Sequence, residues 1–213
     1  MSQATRLGQE SPSADSKSTA VVVSPYCTIG PFFPFAFVDD CNDMTAFEGR
    51  KAQGQHIWLG GKVVEEGDKP TLHSILELWQ PDAKGIFRHP LDPRYDEVDP
   101  GFFGWGRAYT DAHGFYRFRT VIPGASRELD GTLRCPHGNL TVLAIGLTRR
   151  MVTTIFFSNT PEQVDDPVLQ CVPENSRRRL FARKDDTLAG EGLPGYRFDV
   201  VLRGCDETPF FLD

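Results

Sequence analysis

Histidine is scarce in this chain. There are five in 213 residues, at positions 56, 73, 89, 113 and 137. No two stand in the H-x-H spacing that sets a pair of imidazoles on one face of a strand. Where such a pair would fall, in Arg134-Cys135-Pro136-His137-Gly138-Asn139, there is one imidazole and one neutral amide. Asn is a poor substitute for imidazole on a transition metal. The five cysteines (27, 41, 135, 171 and 205) include no C-x-x-C pair. Their odd number and scattered spacing argue against a disulfide framework and a structural zinc site. Cys135 two residues before His137 raises a nucleophile pair. No orienting partner stands nearby in sequence, and a buried structural thiol is the plainer reading.

Positive charge is also in short supply. The net charge is −6, which excludes a general affinity for nucleic acid or anionic membranes. The basic cluster Arg177-Arg178-Arg179 with Arg183 and Lys184 reads as a solvated surface or a partner contact. No apolar run reaches membrane length; the longest is Thr141-Val142-Leu143-Ala144-Ile145-Gly146-Leu147. Ala20-Val21-Val22-Val23 is too short for the core of a signal peptide, so a cytoplasmic setting with reduced thiols is expected.

Helical periodicity is rare, and only 175–183 hints at a short helix. What is present is alternation with period two. Strands are predicted over 56–65, 72–80, 114–121, 140–147, 151–157, 196–202 and 208–212. Tyr116-Arg117-Phe118-Arg119 alternates apolar and charged residues cleanly. The pattern predicts an all-β fold: a single β-sandwich domain over 21–213, with little helix and long excursions at 81–107 and 159–194. Excursions of that length carry function or assembly contacts. Residues 1–20, rich in Ser, Gln, Ala and Asp, are expected to form a mobile tail. Between 26 and 37 the Gly30-Pro31 pair enforces a turn before four phenylalanines, which need a surface to pack on.

Several collinear stretches resemble one family. They are Leu76-Glu77-Leu78-Trp79-Gln80-Pro81-Asp82, Phe103-Gly104-Trp105-Gly106-Arg107-Ala108-Tyr109 and Gly114-Phe115-Tyr116-Arg117-Phe118 through Pro123-Gly124. With the C-terminal Tyr196-Arg197-Phe198-Asp199 and Glu207-Thr208-Pro209-Phe210-Phe211-Leu212-Asp213, the order resembles the intradiol ring-cleaving dioxygenases over roughly 26–213. Within that family the chain resembles the iron-free α-type chains.

The resemblance implies a sandwich fold and an Fe(III)-dependent activity that cleaves protocatechuate, or a related catechol, with O2 to 3-carboxy-cis,cis-muconate. It implies a hetero-oligomer in which a β-type catalytic subunit holds Fe(III) through two tyrosines and two histidines. The corresponding positions here are Phe87, Ser126, His137 and Asn139. Three of these cannot supply the family's ligand, so they are expected to form a vestigial metal site with no catalytic residue in this chain. The resemblance also implies that Thr28, Gly30 and Pro31 wall the partner's substrate pocket, against the alternative of a plain turn. Segment 32–37 and the apolar end Pro209-Phe210-Phe211-Leu212 are expected to meet the partner. At Ala144-Ile145-Gly146 the family's α-type chains carry an arginine; Ile145 takes its place, with Arg149 or Arg150 as alternative charges. Two rival readings remain open. One is a metalloenzyme using Tyr95, Tyr109 and His89; the other is a non-enzymatic β-sandwich module for a small aromatic ligand or a protein partner.

Overall fold

A computed structural model describes residues 41–157 and 165–211. The expected tail 1–20, the turn with Thr28, Gly30 and Pro31, and the aromatic segment 32–37 lie outside the described residues. Eight strands form the frame: β1 (His56–Glu65), β2 (Ile75–Trp79), β3 (Trp105–Tyr109), β4 (Phe115–Val121), β5 (His137–Leu143), β6 (Met151–Phe156), β7 (Gly195–Arg197) and β8 (Val200–Val201). They form two sheets facing each other across one core.

The first sheet is antiparallel with order β6-β5-β2-β3. Its core face carries Leu76, Leu78, Ala108, Leu140, Val142 and Ile155, all buried. The second sheet centres on β1. Along one side β1 pairs antiparallel with β4 for seven residues; along the other it pairs parallel with β7 and then β8. Its core face carries Ile57, Leu59, Val63, Phe118, Tyr196 and Phe198. Each such side chain removed from water contributes about 1.5–3 kcal/mol before the entropy of ordering it. Gln80, fully buried just after β2, links the sheets. Its Nε2 donates to the Val121 carbonyl at 3.0 Å and its Oε1 accepts from Thr120 at 3.0 Å.

Neither outer strand of the first sheet is left bare. On β6, the Phe211 amide donates to the Val152 carbonyl at 2.8 Å and the Ala182 amide to the Phe156 carbonyl at 2.9 Å. On β3, the Arg107 amide donates to the Cys41 carbonyl at 2.9 Å.

Several boundaries differ from the sequence expectations. The strand expected over 140–147 begins at His137 and ends at Leu143. Ala144–Leu147 belongs to the hairpin into β6, where Gly146 takes φ +88° and the Leu147 amide closes on the Ala144 carbonyl at 3.2 Å. The segment 196–202 splits into β7 and β8, because Asp199 between them turns its carboxylate to the Lys62 amide at 2.9 Å. β3 begins inside the region 81–107 expected as a long excursion and runs two residues beyond it. The predicted helix 175–183 is one turn, Glu174–Arg177, followed by a 3₁₀ turn over Arg178–Leu180 and an extended Arg183–Lys184. Phe210 and Phe211, expected at a partner interface, are half-buried against this chain's own apolar clusters.

Candidate functional site

The site forms at the His137 end of β5, on the sheet face turned away from the sandwich core. Residues directly opposite across a ladder share a face. Trp79, Asn139 and Thr154 are such cross-strand neighbours, and His137 stands two residues before Asn139 on the same side. Three loop segments close over them.

The first runs from 81 to 99 and is held by carboxylates rather than by apolar packing. Buried Asp82 accepts from the amides of Lys84 (2.8 Å), Ile86 (3.0 Å) and Asp99 (2.9 Å). Asp92 accepts from the Phe87 amide at 2.9 Å, and the Arg94 guanidinium donates to the Gly85 carbonyl at 2.6 Å. Gly85 has φ +79°, and a Cβ there would collide with the Ala125 carbonyl. These bonds aim Phe87 at the sheet, 4.7 Å from Trp79 and 6.2 Å from His137 between ring centroids.

The second segment is a ribbon in which Ser126–Arg127 pairs with Leu133–Arg134. The third begins at Asp166, which caps a short helix, α1 (Pro167–Gln170), by accepting from the Val168 amide at 3.0 Å. Asp166 also accepts from the Cys135 amide (2.9 Å) and from Arg134 Nε (3.0 Å), while Arg134 Nη1 reaches Glu128 at 2.9 Å. The Arg134–Asp166 pair is buried, and Arg134 Nη2 has no hydrogen-bond partner among the described residues.

Together these elements line an open-mouthed cavity of about 200 Å³ whose lining includes Trp79, Phe87, Leu129, Arg134, His137 and Asn139. Of the four positions singled out in the sequence, Phe87, His137 and Asn139 meet there. Ser126 is buried in the ribbon and does not line the cavity. His89 lies at the rim, 6.2 Å from the Trp79 ring, but neither Tyr95 nor Tyr109 reaches the lining. The Tyr95–Tyr109–His89 grouping is therefore not assembled. The Cys135–His137 contact runs through the backbone: His137 Nδ1 donates to the Cys135 carbonyl at 2.7 Å. Spacing gave no sign of the Arg134–Asp166 pair, whose members lie 32 residues apart in sequence.

That Nδ1 bond fixes the tautomer and leaves Nε2 as the acceptor of the ring. Burial pushes the His137 pKa below its ordinary value, and the nearby Arg134 charge pushes it further down. The imidazole is therefore neutral at pH 7. Asn139 Oδ1 accepts from the Thr154 hydroxyl at 3.2 Å.

An Fe(III) centre of the kind the resemblance implies finds one fitting donor here. Fe(III) favours anionic oxygen alongside imidazole. Phe87 offers no heteroatom, Asn139 has its oxygen engaged, and Ser126 is out of reach. Among the described residues no group of three or more His, Cys, Asp or Glu side chains is placed to hold a metal ion. The residues present do not fit the ion.

Comparison with known proteins agrees with the fold. A family model described as "Dioxygenase" matches residues 29–204. The beta chain of protocatechuate 3,4-dioxygenase from Burkholderia cepacia is 38% identical over 79% of this chain and 74% of its own length. The alpha chain from the same organism is 31% identical over 91% of this chain and 98% of its own length. In structure, the mercury-inhibited catechol 1,2-dioxygenase of Acinetobacter sp. ADP1 superposes with a TM-score of 0.58. It is 23% identical, and the match covers 75% of this chain and 55% of that one. The chain thus belongs to the intradiol ring-cleaving dioxygenase family, and it matches the Burkholderia cepacia alpha chain along almost the whole of that chain's length.

Proposed function

We propose that this chain is the iron-free α-type subunit of a heteromeric, Fe(III)-dependent intradiol dioxygenase acting on protocatechuate. The overall reaction consumes one protocatechuate and one O2, places both oxygen atoms in the product and yields 3-carboxy-cis,cis-muconate. In this reading the β-type partner holds the iron and this chain supplies pocket wall, water exclusion and assembly surface. Thr28, Gly30 and Pro31 form the wall; Phe87, Ser126, His137 and Asn139 are the vestigial positions.

One observation carries the reading. The cavity keeps a neutral, oriented imidazole of the kind a metal site uses, yet sets it against a phenyl ring and an amide tied to Thr154. The end-to-end likeness to an alpha chain supports the same assignment. The higher identity to a beta chain speaks for common descent, whereas the donor set speaks for chemistry. Ile145, 61% exposed on the β5–β6 hairpin, stands where α-type chains carry an arginine. Arg149 or Arg150, which follow on that hairpin, would supply the charge for a substrate carboxylate; a catechol without the carboxylate would need neither.

The test is to compare the chain alone with the chain co-expressed with a β-type partner. Iron per chain and oxygen uptake with protocatechuate and with catechol are measured for each. The chain alone is expected to hold no iron and consume no oxygen, and the assembly to do both. In the assembly, Gly30→Trp is expected to raise KM. Stoichiometric iron with ring cleavage by the chain alone would overturn the proposal.

A further inference from the structure

A second cavity, of about 390 Å³, shares no lining residue with the one beside His137. It lies at the margin of the second sheet, where the edge strand Arg183–Lys184 pairs with β7. Four guanidiniums line it, from Arg178, Arg179, Arg183 and Arg197, against the two carboxylates of Asp199 and Asp206. Both carboxylates are already engaged. Arg197 Nε donates to Asp199 at 2.8 Å. Arg179 Nη2 donates to Asp206 at 3.1 Å and to the Cys205 carbonyl at 2.9 Å.

Arg178 and Arg183 have no such balance. Both are exposed, and neither has a hydrogen bond or ion pair among the described residues. Register sharpens the imbalance. Arg183 stands directly opposite Arg197 across the antiparallel ladder, and like charges directly opposite destabilise a strand pair. Arg179 Nε is buried and also lacks a hydrogen-bond partner among the described residues. Thr208, on the same lining, adds a neutral donor. Its Oγ1 accepts from the Val201 amide at 2.9 Å, and its own O–H remains to donate.

Charge calls for an anion, and size and lining set its class. Sites for small organic ligands begin at about 300 Å³, so a cavity of about 390 Å³ would hold a bare phosphate only loosely. Half-buried Phe181 and Val201 give the lining an apolar part on which a hydrocarbon body can lie. The planar guanidinium matches a carboxylate through two parallel hydrogen bonds. We propose that this cavity binds a small organic dicarboxylate. Its carboxylates pair with Arg178 and Arg183, and its hydrocarbon body lies on Phe181 and Val201. The site takes no part in ring cleavage and does not depend on the subunit reading above.

The test uses the full-length chain in low-salt buffer, titrated by calorimetry with succinate, propionate and inorganic phosphate. Succinate is expected to saturate one site. Propionate, with a single carboxylate, should bind about tenfold more weakly or worse, and phosphate should displace succinate only in excess. Arg178→Gln and Arg183→Gln are each expected to weaken succinate about fivefold. Neither side chain is bonded within the described fold, so the thermal midpoint by circular dichroism should not move. Lys184→Gln removes a neighbouring charge that does not line the cavity, and should leave affinity within about twofold. Propionate or phosphate binding as tightly as succinate would overturn the proposal. So would an absence of saturable succinate binding, or an equal loss in Arg183→Gln and Lys184→Gln, which would mean a general positive field rather than a site. The assay involves neither iron nor turnover, so its failure leaves the subunit reading standing. Failure of that reading shows separately as iron in the isolated chain.

Discussion

The two ends of β5 are built on opposite terms. At its start, His137 and Gly138 are buried, the imidazole is bonded to its own backbone, and a buried ion pair stands behind it. At its end the chain leaves the core after Ala144 and turns through exposed Ile145 and Gly146 toward Arg149 and Arg150. The first end is over-determined by local bonds, which hold the shape of the cavity. The second end lies mostly at the surface, with Ile145 61% exposed.

The contrast can be broken most severely at the buried pair. Asp166→Ala would leave Arg134 with only the more exposed Glu128 as counter-charge, free the Cys135 amide and uncap α1. A loss of about 3–5 kcal/mol is expected, read as a lower urea midpoint at unchanged slope. A smaller loss would mean that water reaches the pair.

The next test reverses the chemistry. The double substitution Phe87→Tyr and Asn139→His would put a phenolate and a second imidazole beside His137 Nε2. It is expected to raise Fe(III) content from none toward about one per chain, with a visible phenolate-to-iron absorption band. A colourless, iron-free double variant would mean that the cavity no longer holds the geometry.

A weaker effect appears in pH. His137 has its folded pKa lowered, so between that value and its unfolded value of about 6.5 the unfolded chain binds the extra proton. Its contribution is fully present above about pH 6.5 and is lost as pH falls through the window below it. His137→Leu should flatten that part of a stability–pH curve.

The smallest effect is at the other end. Ile145→Ser should change the stability of the isolated chain by no more than about 0.5 kcal/mol. In the proposed assembly it should weaken association, measurable by the subunit concentration at which activity is lost.

Much of the frame was legible because alternation reports burial on one face. The strand His56–Glu65 could be read to its ends. Where the signal failed, backbone geometry had overruled composition. The apolar run 144–147 looks like strand, yet Gly146 at positive φ makes it a turn. Trp105–Tyr109 hid between glycines and a long irregular loop. The site was only half legible. The resemblance led to Phe87, His137 and Asn139, and the structure brings these together. It also led to Ser126, which the ribbon pairing keeps out of the cavity. Nothing in sequence spacing joins Arg134 to Asp166 or Trp79 to Asn139, because those meetings are made by the ladder and by the return of the chain through α1.

The covered outer strands of the first sheet have a consequence for how copies of this protein meet one another. An unprotected strand edge is a template for endless growth, since each added strand presents the next edge. Here the Phe211 and Ala182 amides occupy carbonyls on β6, and Arg107 on β3 is tied back to Cys41. Strand-by-strand growth is hindered at these positions of both margins. Among the described residues, this sheet thus offers its outer face and loop tips, rather than its margins, to another chain.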